Sequence, residues 1–153
     1  MINFFVAPAA ILLLGLASGW LSGSGNRNPW FAALVKPGFM PPGWVFPVVW
    51  TTLYILMGIA LAQVIGSKAP ARNLAIALFA MQLALNLAWS PIFFAGHQIL
   101  LGLGVIVLLD AAVIATAIAF ARIGPWPALL LAPYLVWLAI ATALNWSILR
   151  LNG

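Results

Sequence analysis

Five long apolar runs, set apart by short breaks rich in polar residues, glycine and proline, give this chain its outline. They cover about residues 4–21, 44–65, 72–95, 99–122 and 127–150. Each is close to the ~20 residues an α-helix needs to cross the hydrocarbon of a bilayer. The pattern predicts an all-α membrane domain over 1–153, a bundle of five transmembrane helices with its ends on opposite faces. Pro47 falls in the first turn of the second run, where a missing N–H costs little. Pro91 should kink the third run or end it early. The breaks at 66–70, 96–98 and 123–126 read as tight turns. The break at 22–43 is longer than the ~12–15 residues usual for a connection in a compact domain. Its second half carries Trp30, Phe31, Leu34, Val35, Phe39 and Met40, so it reads as an ordered lid. Pro37, Pro41 and Pro42 forbid a long helix there, while the stretch from Pro29 to Val35 suits one short helix. The first run lacks a basic leader and a nearby small-residue cleavage site, and reads as a retained span.

Composition turns the pattern into a location. Apolar residues make up 66% of the chain and charged ones 5%, with a mean hydropathy of +1.18, against roughly 25% charged residues in a soluble domain. No water-facing surface can be built from one acid and six bases, so the chain is read as a multi-pass integral membrane protein. The net charge of +5 comes from single, scattered bases. That pattern suits loops beside lipid headgroups and excludes a nucleic-acid patch. Lys68, Arg72 and Arg122 fall on the face of the N-terminus and Arg27, Lys36 and Arg150 on the lid face, so the bases do not fix the orientation. The absence of cysteine excludes disulfides and thiolate metal sites.

The tryptophans are lopsided. Of eight, Trp20, Trp30, Trp44, Trp50, Trp89 and Trp146 favour the lid face, Trp126 marks the other, and Trp137 lies near mid-span. An interfacial belt populates both faces. Trp50 lies roughly 9 Å beyond Trp44 along its helix, and Trp50 and Trp137 are too deep to be belt anchors. Polar groups show the same bias. Gln82 and Asn86 share one helix face, Asn145 lies two turns from Trp137 with Ala141 between them, Tyr134 is on a neighbouring strip, and Tyr54 follows Trp50 by one turn. Two readings stand: a polar cluster that ties helices together, or the lining of a cavity between helices, closed by the lid. The long lid favours the second. Asp110, the only acid, is at mid-span, where an ionisable group is a functional hypothesis by default. A lone carboxylate is a poor hydrolytic set. His97 reads as a turn residue rather than a metal or haem ligand. For association, Ala80, Ala84 and Ala88 make a small-residue stripe that predicts a homodimer, with Ala111, Ala115 and Ala119 as the rival stripe. Gly15 and Gly19 fit an internal helix contact or a dimer.

Three stretches, WFAALVKPGFMPPGWVFPVVWTTLY, QLALNLAWSPIFF and PYLVWLAIATALNW, resemble in order and spacing the translocator protein family (TspO, the tryptophan-rich sensory proteins, also called peripheral benzodiazepine receptors). The resemblance covers nearly the whole chain. It implies a five-helix bundle, often homodimeric, that binds porphyrins such as protoporphyrin IX and haem, sterols in animal members, and benzodiazepine-type ligands, with no obligatory cofactor or metal. The ligand-binding positions it implies are Phe31, Pro41, Pro42, Trp50, Tyr54, Asn86, Ser90, Trp137, Ala141 and Leu144. Phe31 stands where tyrosine is common in the family, and Phe39 where tryptophan is. A sterol motif is matched by Leu144, Trp146 and Arg150, with tryptophan replacing tyrosine. The resulting expectation is a membrane receptor or carrier for tetrapyrroles, linked to porphyrin handling and stress response. The alternatives are oxidative or light-driven porphyrin degradation, for which the chain has no conventional acid–base set, and a structural module that assembles partner proteins.

Overall fold

The computed structural model describes residues 3–153. Seven α-helices and one π-helical turn make up the described chain: α1 (Asn3–Leu21), α2 (Pro29–Ala33), α3 (Val45–Gly66), α4 (Arg72–Ser90), a π turn at Pro91–Ala95, α5 (Ile99–Ala121), α6 (Pro125–Leu129) and α7 (Ala132–Asn152). Five stretches are long and apolar enough to cross a membrane: Phe4–Leu21, Val45–Gly66, Arg72–Ala95, Ile99–Ala121 and Pro125–Asn152. These are the five predicted spans.

Two details differ from the sequence reading. The last run is two helices, because α6 stops at Leu129 and α7 starts at Ala132 with Pro133 in its first turn. Proline has no N–H for the preceding turn, and its ring disfavours helical geometry in the residue before it. The third run does lose its α-helical register at Pro91, yet it does not stop. It widens into the π turn, closed by a bond from the Gly96 N–H to the Pro91 carbonyl at 2.8 Å. The short helix expected in the lid is α2. Asn28 caps it by accepting from the Phe31 N–H at 3.1 Å, and Pro29 takes the first position, where its fixed φ suits a helix start.

Around the bundle the order is α3, α1, α4, α5, α7. The α1–α3 contact is the closest, for a local reason. Gly58 of α3 lies on the backbone of Pro8, and Gly15 of α1 lies on the ring of Tyr54; a Cβ at either glycine would overlap its neighbour. Gly15 therefore serves an internal helix contact. Gly19 has only Ser24 nearby. Ser18 adds a polar tie by donating to the Leu87 carbonyl of α4 at 2.7 Å. Between α7 and α3 the backbones scarcely approach, and Phe46, Trp50, Tyr134 and Trp137 occupy the space. The outward faces are as apolar as the core: Leu100, Leu101, Val107, Leu108, Ile114 and Ile118 of α5 are all exposed. In water that would be a large patch begging for a partner; in lipid it is the ordinary outer wall of a bundle, and helix contacts rest on close packing and a few polar ties.

Candidate functional site

The sequence-predicted polar groups meet at the centre of the bundle. Tyr54 of α3 donates its hydroxyl to Asn86 Oδ1 at 3.0 Å. Asn86 Nδ2 donates to the Tyr134 hydroxyl at 2.7 Å, and that hydroxyl donates to Gln82 Oε1 at 3.3 Å. The amide of Gln82 reaches Met57 Sδ at 3.8 Å. Tyr54, Gln82, Asn86 and Tyr134 are all buried, and α3, α4 and α7 are joined by one chain of bonds. This is the helix-tying cluster of the first reading. It uses much of the bonding capacity that Asn86 offered to a ligand.

The aromatic wall lies beside that cluster. Trp50, half-buried, stacks on Tyr54 with centroids 5.5 Å apart and meets Tyr134 edge-on at 6.2 Å. Phe46 meets Trp137 edge-on at 5.7 Å. Trp137 is only 7% exposed, and its Nε1 has no hydrogen-bond partner among the described residues. A buried indole N–H ordinarily finds an acceptor, so this donor is an unmet demand inside the bundle. Ala141, one turn along α7, is half-buried, and Leu144 beyond it is buried. On the outside, Trp137 also lines a groove of about 230 Å³ between α3 and α7, with Val48, Thr52, Val136 and Ile140 among its walls.

Phe31 joins a different group. It is buried with Phe93, Phe94 and Ile148, meeting the two phenyl rings edge-on at 6.1 and 5.2 Å. The ten implied binding positions are therefore not one patch. Trp50, Tyr54, Asn86, Trp137 and Ala141 line or back the α3–α7 seam, whereas Phe31 anchors the lid over the π turn. Trp89 packs against both groups and donates to Asn145 Oδ1 at 3.2 Å, while Asn145 Nδ2 donates to the Ile99 carbonyl at 3.1 Å. Ser90 is the last residue of α4; Pro41 is half-buried and Pro42 exposed in the lid's return. Leu144 points inward while Trp146 and Arg150 are exposed, so the three sterol-motif residues do not share a surface.

The lid is held at both ends by residues that the sequence reading did not single out for it. Asn28 Nδ2 donates to the Phe94 carbonyl at 3.2 Å. Trp30 lies flat on His97, with centroids 4.4 Å apart; His97 has a left-handed φ of 55°. At the far end Asn152 accepts from the Val35 N–H at 2.8 Å and donates to the Val35 carbonyl at 2.9 Å. Asn152→Ala removes both. With exposed hydrogen bonds each contributing about 0.5–1.5 kcal/mol, the Val35 amide is expected to exchange on the order of tenfold faster, with global melting little changed. Exchange at Val35 no faster than in the parent would show that the lid is held elsewhere.

Asp110 at mid-span accepts a bond from the Thr142 hydroxyl at 2.8 Å, which ties α5 to α7. Among the described residues no three His, Cys, Asp or Glu side chains gather as a metal site.

Comparison with known proteins gives one answer. A model of the TspO/MBR family matches residues 6–151. The "Tryptophan-rich protein TspO" of Chlorobaculum tepidum is 46% identical over 144 residues, covering 91% of each chain. "Protein CrtK" of Rhodobacter capsulatus is 43% identical over 129 residues, covering 83% of this chain and 81% of its own. The human "Translocator protein" is 39% identical over 153 residues, covering 98% of this chain and 88% of its own.

Proposed function

This chain belongs to the TspO/MBR family, and from that premise we propose that it is a membrane receptor or carrier for tetrapyrroles, protoporphyrin IX and haem among them, held at the α3–α7 seam beneath the lid. The observation that carries the reading is Trp137. A large indole face, nine-tenths buried and with an N–H lacking an acceptor, suits a flat apolar molecule with hydrogen-bond acceptors on its rim. Trp50 and Tyr54 extend the same aromatic wall, and Ala141 leaves it unobstructed. Sterols and benzodiazepine-type molecules share the flat apolar body and are weaker candidates for the N–H. The test is titration of the purified chain with protoporphyrin IX, read by tryptophan quenching and repeated by calorimetry. Saturable binding near one ligand per chain supports the reading; quenching that rises without saturation overturns it.

The association proposed for the chain is a homodimer through α4. Ala80 and Ala84 are exposed on its outer surface and Ala88 is half-buried, which lets a second backbone approach closely. The rival stripe is less open, since Ala119 is buried and Ala115 half-buried. Ala84→Leu is expected to shift cross-linked dimer to monomer in lipid, and Ala111→Leu to leave it intact. The opposite pattern would place the interface on α5.

A further inference from the structure

A second site lies outside the bundle, where the lid returns past the end of α7. A groove of about 460 Å³ is walled by Lys36, Pro37, Phe39, Trp146, Arg150 and Leu151, with Val35, Gly38 and Ser147 completing it. Phe39, Trp146, Arg150 and Leu151 are exposed. Two of the chain's six bases thus face one apolar groove, and the chain has no acidic side chain to set against them. Its only one, Asp110, is at mid-span on Thr142. Lys36 Nζ donates to the Ala32 and Leu34 carbonyls at 3.2 Å each and lies 4.8 Å from the centre of the Phe31 ring. These contacts orient the ammonium without neutralising it. Arg150 sits in the last turn of α7, where partial negative charge is likewise no substitute for an anion.

We propose that this groove binds the headgroup of an anionic phospholipid, its phosphate between Lys36 and Arg150 and its glycerol and upper acyl carbons along Phe39, Trp146 and Leu151. The depth fits. The groove lies at the lid end of a span, where aromatic side chains and headgroups meet and where juxtamembrane bases are drawn to anionic lipid. An arginine fork suits a phosphate, and a lysine adds a point charge. The position also gives the lipid a task. Lys36 belongs to the lid and Arg150 to α7, beside the Asn152–Val35 clasp, so a bound phosphate staples the lid to the bundle. The charge of the surrounding leaflet then sets how readily the lid lifts.

The experiment uses the full chain in nanodiscs of phosphatidylcholine alone, or with about a third phosphatidylglycerol. Hydrogen exchange is followed at lid amides from Phe31 to Met40. Anionic discs are expected to slow lid exchange severalfold; Arg150→Gln removes that difference, and Lys68→Gln, on the opposite face, preserves it. Native mass spectrometry after partial delipidation should show one retained phosphatidylglycerol per chain, lost in Arg150→Gln. Equal exchange in both discs overturns the proposal. So does a lipid effect that survives Arg150→Gln, which would make it a bulk property of the charged surface. In a third arm, protoporphyrin IX and its dimethyl ester are compared. If Arg150→Gln weakens the free acid alone and leaves the lipid effect untouched, the two bases serve ligand carboxylates and the lipid site is overturned.

Discussion

Trp137→Ala is expected to weaken protoporphyrin binding by an order of magnitude or more, with Trp50→Ala and Ala141→Leu weakening it severalfold at least. Trp137 and Trp50 form the aromatic wall at the α3–α7 seam. Losing roughly 100 Å² of apolar contact removes about 2.5 kcal/mol at ~25 cal/mol per Å², and 1.4 kcal/mol is tenfold in affinity. Trp137 adds its unpartnered N–H, which gains a hydrogen bond only when a ligand supplies the acceptor. Ala141→Leu acts by the opposite route, since it fills the space one turn from Trp137 and leaves the wall intact. Trp126→Ala, an exposed tryptophan on the face away from the lid, should bind as the parent does. Calorimetry is the decisive measurement, because each tryptophan variant also loses a fluorophore. If all three seam variants keep parental affinity with their helix content unchanged, the tetrapyrrole lies somewhere other than this seam.

The largest effect on folding is expected from one methyl group. Gly58→Ala places a Cβ against the Pro8 backbone, and backbone cannot swing aside as the end of a side chain can. Overpacking of this kind costs about 1–3 kcal/mol. For a chain of this size that lowers the melting temperature by roughly 2–4 °C per kcal/mol. The loss is expected although alanine has the higher helix propensity. Gly104→Ala is the matched control. Gly104 also lies inside a helix, but nothing is within 4 Å of a Cβ there, so propensity acts alone and stability should hold or rise. Parental melting in Gly58→Ala would mean that α1 slides along α3 at little cost.

How much of this was legible in the sequence depended on whether the information was local. Span lengths, the break at Pro91 and the short lid helix follow from hydrophobic runs and proline chemistry, and all are present. The one-turn spacings of Gln82 with Asn86 and Trp50 with Tyr54 place each pair on one helix face. Period alone does not say which helix that face meets. Hence the two readings of the polar groups stayed open until Tyr54, Asn86, Tyr134 and Gln82 were seen bonded to one another. The lid's fastenings were out of reach for the same reason. Asn152 and Val35 are 117 positions apart, and nothing in their neighbourhoods marks them as partners. His97 read as a plain turn residue because its stacking partner, Trp30, comes from another part of the chain. The sequence reading placed Phe31 with Trp50 and Trp137 because all three were implied by one resemblance, and packing assigns it to the lid's own cluster.

The π turn at Pro91–Ala95 sets a rule for which inherited changes this protein can absorb. A π turn holds one residue more than the α-helical path through the same space needs. Dropping a single residue there would let the segment relax to ordinary α-helix, and at 3.6 residues per turn it would rotate everything downstream by about 100°. Phe93 and Phe94 would leave Phe31, and the Phe94 carbonyl would leave Asn28. The lid would lose its seat with every one of its own residues unchanged. Point substitutions along this segment change one contact each, whereas a one-codon deletion in the gene changes them all at once. Length, more than composition, is therefore what descent has to preserve between Ser90 and His97.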